Sequence, residues 1–597
     1  MWRSWGAAGL RGTPEETPES ILLGRRALQE LSSATIVEDL RWNADVARWV
    51  LTLDLRLSVH ATSDVPSSTR WHVLIEDRYP RGTMDLFPSK NGGITATFPH
   101  QTRNDEGDHR VSWRTGKICV EETGRWLGRT AWDREPRTAK DRLLWHVRRA
   151  CSWLDAAATN QLTPAGTPYE LPDFRSASVP IVAFVETAES YAGWCSSKVT
   201  SGLATVHRLR TNEGDVRLVL DFGNGVGAPL ALTPNLSPRK TAAIWFRLPR
   251  VPILPPWRAP RTWKELRAAI ATLGLDLDVV LKRLLRHVRD EDPPLLLLGF
   301  PIPATFGKEA VHLHWKAIRL PKLGAVAKGF RDERGYWQKE RQDLLADDRD
   351  VKWLETENWS RDEIGRRSRL ATLSSFRPLL IGAGAIGSIV GELLVRGGCS
   401  DMTIMDADDL EVGNLVRHTL AMRDVKRPKA TALAERLMTL GPTIRATPYP
   451  ISFPPTGQHR LQSIGDRNLI IDCTGADDVL DSMSEVEWSE DCLLISLSAG
   501  LGAKRLYCYL SRGHLDADAF RKLLEPYVTE DARTFDGELP WDAAGCWHPL
   551  FPARLDELWS TVATAIGKLE ALLWDNSQLS SVFFVVERTA DGGLAIK

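Results

Sequence analysis

Apolar and polar residues alternate without a break over Leu51–Val59, LTLDLRLSV, which predicts a half-buried antiparallel strand. A helical segment around Arg25–Ser33 precedes it, and further strands are expected at Trp71–Glu76 and Gly93–Phe98. Asp141–Ala158 then sets Leu143, Leu144, Val147, Ala150, Cys151 and Leu154 on one helical stripe. Helix, meander and helix together predict an α+β domain over residues 20–165, closed by the Pro/Gly break LTPAGTPYELPDF. Residues 175–345 read as a mixed α/β middle domain. It has a strand in DVRLVLDF, a second Pro-rich break and helices within Trp263–Arg289, but no catalytic constellation. The dense mixed-charge run 331–352 reads as a solvated helix or linker.

Beyond this point the period changes. PLLIGAG is a buried strand entering a glycine turn, and AIGSIVGELLVRGG is a helix that ends on glycines. DMTIMD, NLIIDCTG and CLLISLSAG are apolar runs of parallel-strand type, with a helix over Pro428–Leu440 between the first two. Residues 355–597 therefore read as a doubly wound, Rossmann-like α/β domain.

Composition narrows the picture. A chain of 597 residues with 43% hydrophobic and 26% charged residues is expected to form about three globular domains. A net charge of −1 supplies no global basic field, so no nucleic-acid partner is expected. The first residues contain no apolar signal core and no stretch approaches ~18 apolar residues, so a cytoplasmic chain without membrane spans is expected. The cysteines, at 119, 151, 195, 399, 473, 492, 508 and 546, form no C-x-x-C pair, so neither structural zinc nor a disulfide framework is expected.

The candidate chemistry starts in GAGAIG, where Gly382, Gly384 and Gly387 stand between a strand and a helix. Such a turn lets phosphate approach the backbone at a helix N-terminus. Asp406 ends the next strand, where a carboxylate can accept ribose hydroxyls. Thus far an NAD site fits equally well. The polar set that follows does not suit a dehydrogenase: Asn414 and Arg417 in DADDLEVGNLVRH, and Lys429 at a helix start. Hydride transfer needs no such set, whereas carboxylate attack on the α-phosphate of ATP does, because charge builds on the phosphate oxygens. Two cysteines stand apart from the rest. Cys119 ends an apolar strand in WRTGKICVEETGRW, a poor setting for a buried structural thiol. Cys546 lies in a Gly/Pro-rich loop, DAAGCWHPLF, before an amphipathic helix, with His548 nearby.

The glycine run, the acid-to-arginine signature and the lysine before A-x-A-x-A-E-R-L resemble the adenylation domain of ubiquitin-activating enzymes and of ThiF and MoeB. The resemblance implies ATP and Mg2+ as cofactors and a homodimer through this domain. Asp406 would hold ribose, Asp408 would stand beside the nucleotide, and Asn414, Arg417 and Lys429 would engage the phosphates. It also implies an arginine that enters a partner subunit's site, for which Arg361 is the candidate. The chain departs from the family at DCTGADD, which leaves Asp472 and Asp477 (or Asp478) as magnesium candidates, and the family's zinc cysteines are missing. Upstream, Tyr79-Pro80, Phe98-Pro99-His100 and Gly116-Lys117-Ile118-Cys119 resemble a ubiquitin-conjugating (UBC-like) domain. The family's His-Pro-Asn is replaced by HQTRN, which leaves His100 structural and Asn104 as a candidate oxyanion donor.

A conjugating and an activating domain in one chain resemble the fused enzymes of bacterial CBASS anti-phage operons. That resemblance implies adenylation of a protein C-terminus, thioester capture on Cys546, transfer to Cys119 and conjugation to a lysine amine. The implied partner is a cGAS/DncV-like nucleotidyltransferase. A ubiquitin-like protein in another bacterial system, a sulfur-carrier adenylyltransferase and an inert nucleotide-binding scaffold are the alternatives.

Overall fold

The computed structural model describes residues 16–120, 135–210, 215–223, 236–291, 293–323, 333–367, 370–456, 464–535, 553–575 and 580–597. Two compact units divide the chain near Glu357/Asn358.

The first unit opens with helix α1 (Glu19–Ala27), which tightens into a 3₁₀ turn ending at Glu30. The helix thus starts earlier than the Arg25–Ser33 segment read from sequence. It buries Ile21, Gly24 and Ala27, and a Cβ on Gly24 would lie 2.7 Å from the Tyr79 hydroxyl, so glycine permits the close approach. An antiparallel meander follows: β1 (Ala34–Asn43), β2 (Arg48–Arg56), β3 (Ser68–Ile75) and β4 (Met84–Pro88). Leu51, Leu53 and Leu55 of β2 are fully buried, as the alternation demands. The opposite face is not open, however. Val50 packs with Leu74 beneath Trp113, and Thr52 bonds His72 Nδ1 at 3.1 Å. Residues 93–98 are not the expected strand. Gly92 has φ +80°, and a Cβ on Gly93 would stand 2.3 Å from the Ser89 carbonyl oxygen, so the chain doubles back there.

Helix α2 (Ala139–Ala158) is capped by Thr138, whose hydroxyl accepts from the Asp141 N–H, and it buries the predicted stripe of Leu143, Leu144, Val147, Ala150 and Leu154. One turn apart on it, Arg142 and His146 both reach Glu135, at 2.5 and 2.7 Å. Burial alone would raise the Glu135 pKa, but His146 and Arg142 outweigh it and bring it down to about 2. A depressed carboxylate pKa stabilises the fold above its unfolded value of ~4.5, and that stability is lost as pH falls through 2. The contribution is on the order of 3 kcal/mol. The stability difference between wild type and Glu135→Gln, measured by urea denaturation, should therefore be largest near pH 7 and shrink below pH 4.5. A gap independent of pH would contradict this ion cluster.

The remainder of the first unit contains β5 (Ala177–Phe184), α3 (Ala188–Ser196), β6 (Ser201–Arg210), β7 (Asp215–Asp221), β8 (Leu236–Arg247), α4 (Trp263–Ala271), α5 (Leu277–Leu284), β9 (Leu295–Pro303), β10 (Ala310–Arg319), α6 (Glu333–Lys339) and β11 (Lys352–Asn358). The strands close into a barrel in the order β10-β11-β5-β7-β6-β8-β9, which the sequence reading of a mixed α/β domain did not contain. Alternation sorts the side chains. Ala243 and Trp245 of β8 face the interior cluster, whereas Ile244 and Phe246 face the one that includes α4 and α5. Inside, Glu186 accepts from the indole N–H groups of Trp194 (2.9 Å) and Trp315 (2.7 Å), so the buried acid and both indoles are satisfied. Within the described part of the run 331–352 most charged residues are exposed or half-buried, with Glu340 the exception. Glu340 is 1% exposed and pairs with Arg289 at 2.9 Å.

The second unit begins with α7 (Arg361–Gly365) and β12 (Pro378–Ile381), followed by α8 (Ala385–Arg396), β13 (Asp401–Met405), α9 (Lys429–Met438), β14 (Arg445–Tyr449), β15 (Leu469–Asp472), α10 (Asp477–Glu485) and β16 (Leu493–Ala499). It continues through β17 (Arg505–Arg512), α11 (Ala517–Thr534), α12 (Leu555–Asp575), β18 (Ser581–Arg588) and β19 (Leu594–Ile596). Eight strands form one sheet, β14-β13-β12-β15-β16-β17-β18-β19, parallel up to β16 and antiparallel beyond. Leu380 on one face belongs to the core with α8, α9 and α12, and Leu379 and Ile381 on the other to the core with α10 and α11. From β12 the chain winds first toward β14 and later toward β16. The crevice between β12 and β15 is thus a topological switch point, where doubly wound sheets bind ligands. Among the described residues, no helix is long and apolar enough to cross a membrane.

Candidate active sites: a nucleotide cavity and an exposed thiol

The glycines act by backbone geometry. Gly382 leaves β12 with φ +86°, and a Cβ on Gly387 would fall 1.8 Å from the Gly382 carbonyl oxygen. Both positions require glycine. Gly384 caps α8 without any side-chain hydrogen bond, and nothing lies within 4 Å of where its Cβ would be. The first N–H groups of α8 and its positive dipole end therefore face open space.

Asp406, just past β13, braces this turn. Its carboxylate accepts from the Ala383 N–H at 2.6 Å and the Asp408 N–H at 2.8 Å. Burial raises its pKa, and the two N–H bonds oppose that rise. The same loop is gripped from behind by His418, which the sequence reading missed. His418 Nε2 donates to the Ala383 carbonyl at 2.7 Å, while Nδ1 accepts from the Leu420 N–H at 3.1 Å. This pair of bonds selects the neutral Nε2–H tautomer, and burial lowers the pKa in the same direction. Its one signal in the sequence was its place directly after Arg417. His418→Ala should weaken ATP binding about tenfold by calorimetry, since a buried carbonyl loses its donor. Unchanged affinity would show that the loop holds itself.

A cavity of about 820 Å³ opens beside the loop, and Gly384, Asn414, Arg417, His418 and Lys429 all line it. Lys429 begins α9 with its side chain 12% exposed, paired to Asp408 at 2.9 Å, and its N–H donates to the Asp408 carbonyl. Asn414 Oδ1 accepts from the Glu411 N–H at 3.0 Å. Across the cavity stand Thr474, Gly475, Asp477 and Ser498, and its far end is apolar, with Leu501, Leu524, Val528 and Leu558. Gly384, Asn414, Arg417 and Lys429 thus converge on one volume, Gly382, Gly387, Asp406 and Asp408 shape the loop at its edge, and Arg361 does not line it. The backbone cradle and two cations fit a triphosphate.

The two magnesium candidates separate. Asp472 is 1% exposed, with Oδ1 accepting from Thr474 N–H and Oγ and Oδ2 from Ser496 Oγ, so it braces the β15–β16 edge below the cavity. Asp477 lines the cavity and lies 3.4 Å from Arg521. Among the described residues, no group of three or more His, Cys, Asp or Glu is placed to hold a metal. Arg361 also differs from expectation. Its guanidinium donates to the carbonyls of Gly398 (3.0 Å) and Ser374, fastening the end of α8 in its own chain instead of extending outward.

In the first unit, Cys119 is exposed between two buried neighbours, Ile118 and Val120. Extended backbone alternates its side chains, so packing the neighbours turns the thiol out. The segment is not the expected strand, only an isolated bridge from Ile118 to Gln101, but it is pinned: Cys119 N–H donates to the His100 carbonyl at 2.8 Å, and Arg149 Nε donates to the Val120 carbonyl at 2.5 Å. His100 is held by Glu170 at 2.8 Å, a structural role. Asn104 cannot serve as an oxyanion donor in this arrangement. It is buried, and its amide N–H₂ is spent on the carbonyls of Ile94 (2.8 Å) and Ala96 (2.9 Å). Cys399, Cys473, Cys492 and Cys508 are buried, and burial pushes their thiols up, to about 12 for Cys399 and Cys492. Cys546 and His548 lie outside the described residues.

Comparison with known proteins follows the same division. Residues 160–359 match the Cap2 central linker domain, and residues 358–482 match the ThiF family. Over 540 residues the chain is 35% identical to an ATP-dependent ubiquitin transferase-like protein Cap2 of Enterobacter hormaechei, covering 87% of this chain and 88% of the relative. A sulfur carrier protein adenylyltransferase of Thermus thermophilus is 29% identical over 128 residues, 19% of this chain and 46% of that protein. Escherichia coli MccB, solved with ATP, aligns with 38% of this chain and 64% of its own at 13% identity and a TM-score of 0.27. The C-terminal unit thus carries a ThiF-type adenylation fold.

Proposed function

The chain belongs to the Cap2 family of ATP-dependent ubiquitin transferase-like proteins, and from that premise we propose a two-thiol acyl relay. ATP enters as co-substrate in the 820 Å³ cavity, with ribose at Asp406 and the phosphates against the α8 N-terminus, Asn414, Arg417 and Lys429. A C-terminal carboxylate of a protein partner attacks the α-phosphorus. The bond to the β-phosphate oxygen breaks, and pyrophosphate leaves. Lys429 and Arg417 offset the charge gathering on the phosphate oxygens. Asp477, which lines the cavity, would hold magnesium, and the ion would supply positive charge against the leaving pyrophosphate. The Cys546 thiolate then attacks the acyl carbon and expels AMP. Cys119 takes the acyl group by thioester exchange, and a lysine amine receives it as an amide, returning the thiol.

The observation that carries this reading is the convergence of Asn414, Arg417 and Lys429 on the cavity of Gly384, a set with no task in hydride transfer. The apolar end, Leu501 to Leu558, suits a peptide tail entering beside the nucleotide. The N-terminal helix, meander and pinned thiol supply the UBC-like half, and joining both thiols in one chain raises their effective concentration. A homodimer through the adenylation unit, a cytoplasmic setting and a cGAS/DncV-like nucleotidyltransferase as the acyl donor in CBASS defence complete the proposal. Exchange of labelled pyrophosphate into ATP, stimulated by a partner's C-terminal peptide, tests it. Absence of exchange with every carboxyl-terminal donor would leave a binding scaffold.

A further inference from the structure

One cluster outside both sites has an arrangement that folding alone does not favour. Arg319, at the end of β10, is the direct cross-strand partner of Lys352, at the start of β11. Like charges placed opposite one another destabilise a sheet. Both side chains are exposed, and among the described residues neither has a carboxylate in ion-pair distance. Of the nearby carboxylates, Asp350 pairs with Arg261 at 3.1 Å, and Asp105 pairs with Arg103 at 2.9 Å and Arg175 at 3.3 Å, while Asp343 and Asp348 line the second hollow.

Two hollows, of about 560 and 790 Å³, meet at this pair, and Arg261, Arg319, Asp350 and Lys352 line both. Together they make one elongated groove with cations along its floor. The apolar residues at its edge, Phe174 and Trp353 in one lobe and Trp263 and Pro294 in the other, are buried, so charge dominates what the groove presents. We infer that this groove binds an extended acidic peptide segment. A compact phosphate fits less well, because the nearby N-terminus of α4 is closed by the reciprocal Thr262–Glu265 capping box and offers no bare N–H cradle.

Position suggests whose segment it is. Arg103, which lines the first hollow, lies three residues beyond His100, whose carbonyl receives the Cys119 N–H, so a short run of chain links groove and thiol. The peptide then belongs to the protein whose lysine accepts the acyl group from Cys119. That last clause rests on the relay proposed above, while the groove's charge does not.

Fluorescence anisotropy on the full chain tests the inference, with a labelled octapeptide of alternating Glu and Leu as probe. Its binding should exceed that of a Lys/Leu octapeptide, weaken with added salt, and fall at least tenfold in Arg319→Glu/Lys352→Glu and several-fold in Arg319→Gln/Lys352→Gln. Lys352→Glu alone should hold or raise the thermal midpoint, since it replaces a repulsive pair with an attractive one. Equal binding of both peptides, binding untouched by the double variants, tighter binding of a single-stranded octanucleotide, or a lowered midpoint in Lys352→Glu would each overturn it. ATP–pyrophosphate exchange, measured on the same variants, should be unchanged. The groove and the adenylation chemistry therefore stand or fall separately.

Discussion

Lys429→Ala is expected to lower ATP–pyrophosphate exchange by a factor of about 100 or more, the scale on which one preorganised contact to developing charge acts. The ammonium is held where the first turn of α9 meets the cavity, and its side chain is 12% exposed while that of its partner Asp408 is 73% exposed. Such a half-exposed pair contributes less than about 1 kcal/mol to folding, so the thermal midpoint should barely move. Stability unchanged and exchange lost would separate a phosphate contact from a surface ion pair. Lys429→Arg should recover part of the rate, because charge returns but with a planar, bulkier head group. Exchange equal to wild type in Lys429→Ala would remove the residue from the chemistry.

The second large effect concerns Cys119. Cys119→Ala should leave exchange untouched, let the acyl group load on Cys546, and cut the final conjugate about a thousandfold or more, since the second thioester can no longer form there. The side chain is exposed, so its removal opens no cavity; the packing comes from Ile118 and Val120. Cys508→Ala offers the contrast. That thiol is buried in the sheet core, and its loss should cost stability instead of transfer. Conjugate formation undiminished in Cys119→Ala would mean that the amine attacks the first thioester directly.

What could be read in the sequence follows from how local each signal is. The strand–glycine–helix unit at Pro378–Arg396 and the burial of Leu143 and Val147 on α2 depend on residues a few positions apart, and the structure places them as read. The barrel was invisible because its closure pairs distant segments. β5 lies parallel to β7, and β8 parallel to β9, across intervening helices and strands that leave no periodic mark. Residues 93–98 imitate a strand by composition, yet Gly92 and Gly93 turn the backbone and Asn104 supplies the hydrogen bonds that a neighbouring strand would have given. At the candidate site, residue type predicted location better than function. Asp472 and Arg361 carry suitable groups, but the first is consumed by Thr474 and Ser496 and the second by two carbonyls at the end of α8. His418 was missed because a single histidine has no pattern until the Ala383 carbonyl is seen above it.

The relay's order is its central claim, and intact-mass analysis of Cys546→Ala protein, given ATP, magnesium and the acyl donor, tests it most directly. The account predicts a normal pyrophosphate burst, release of free adenylate and no acyl mass on the chain. An acyl group found on Cys119 in that variant would contradict it.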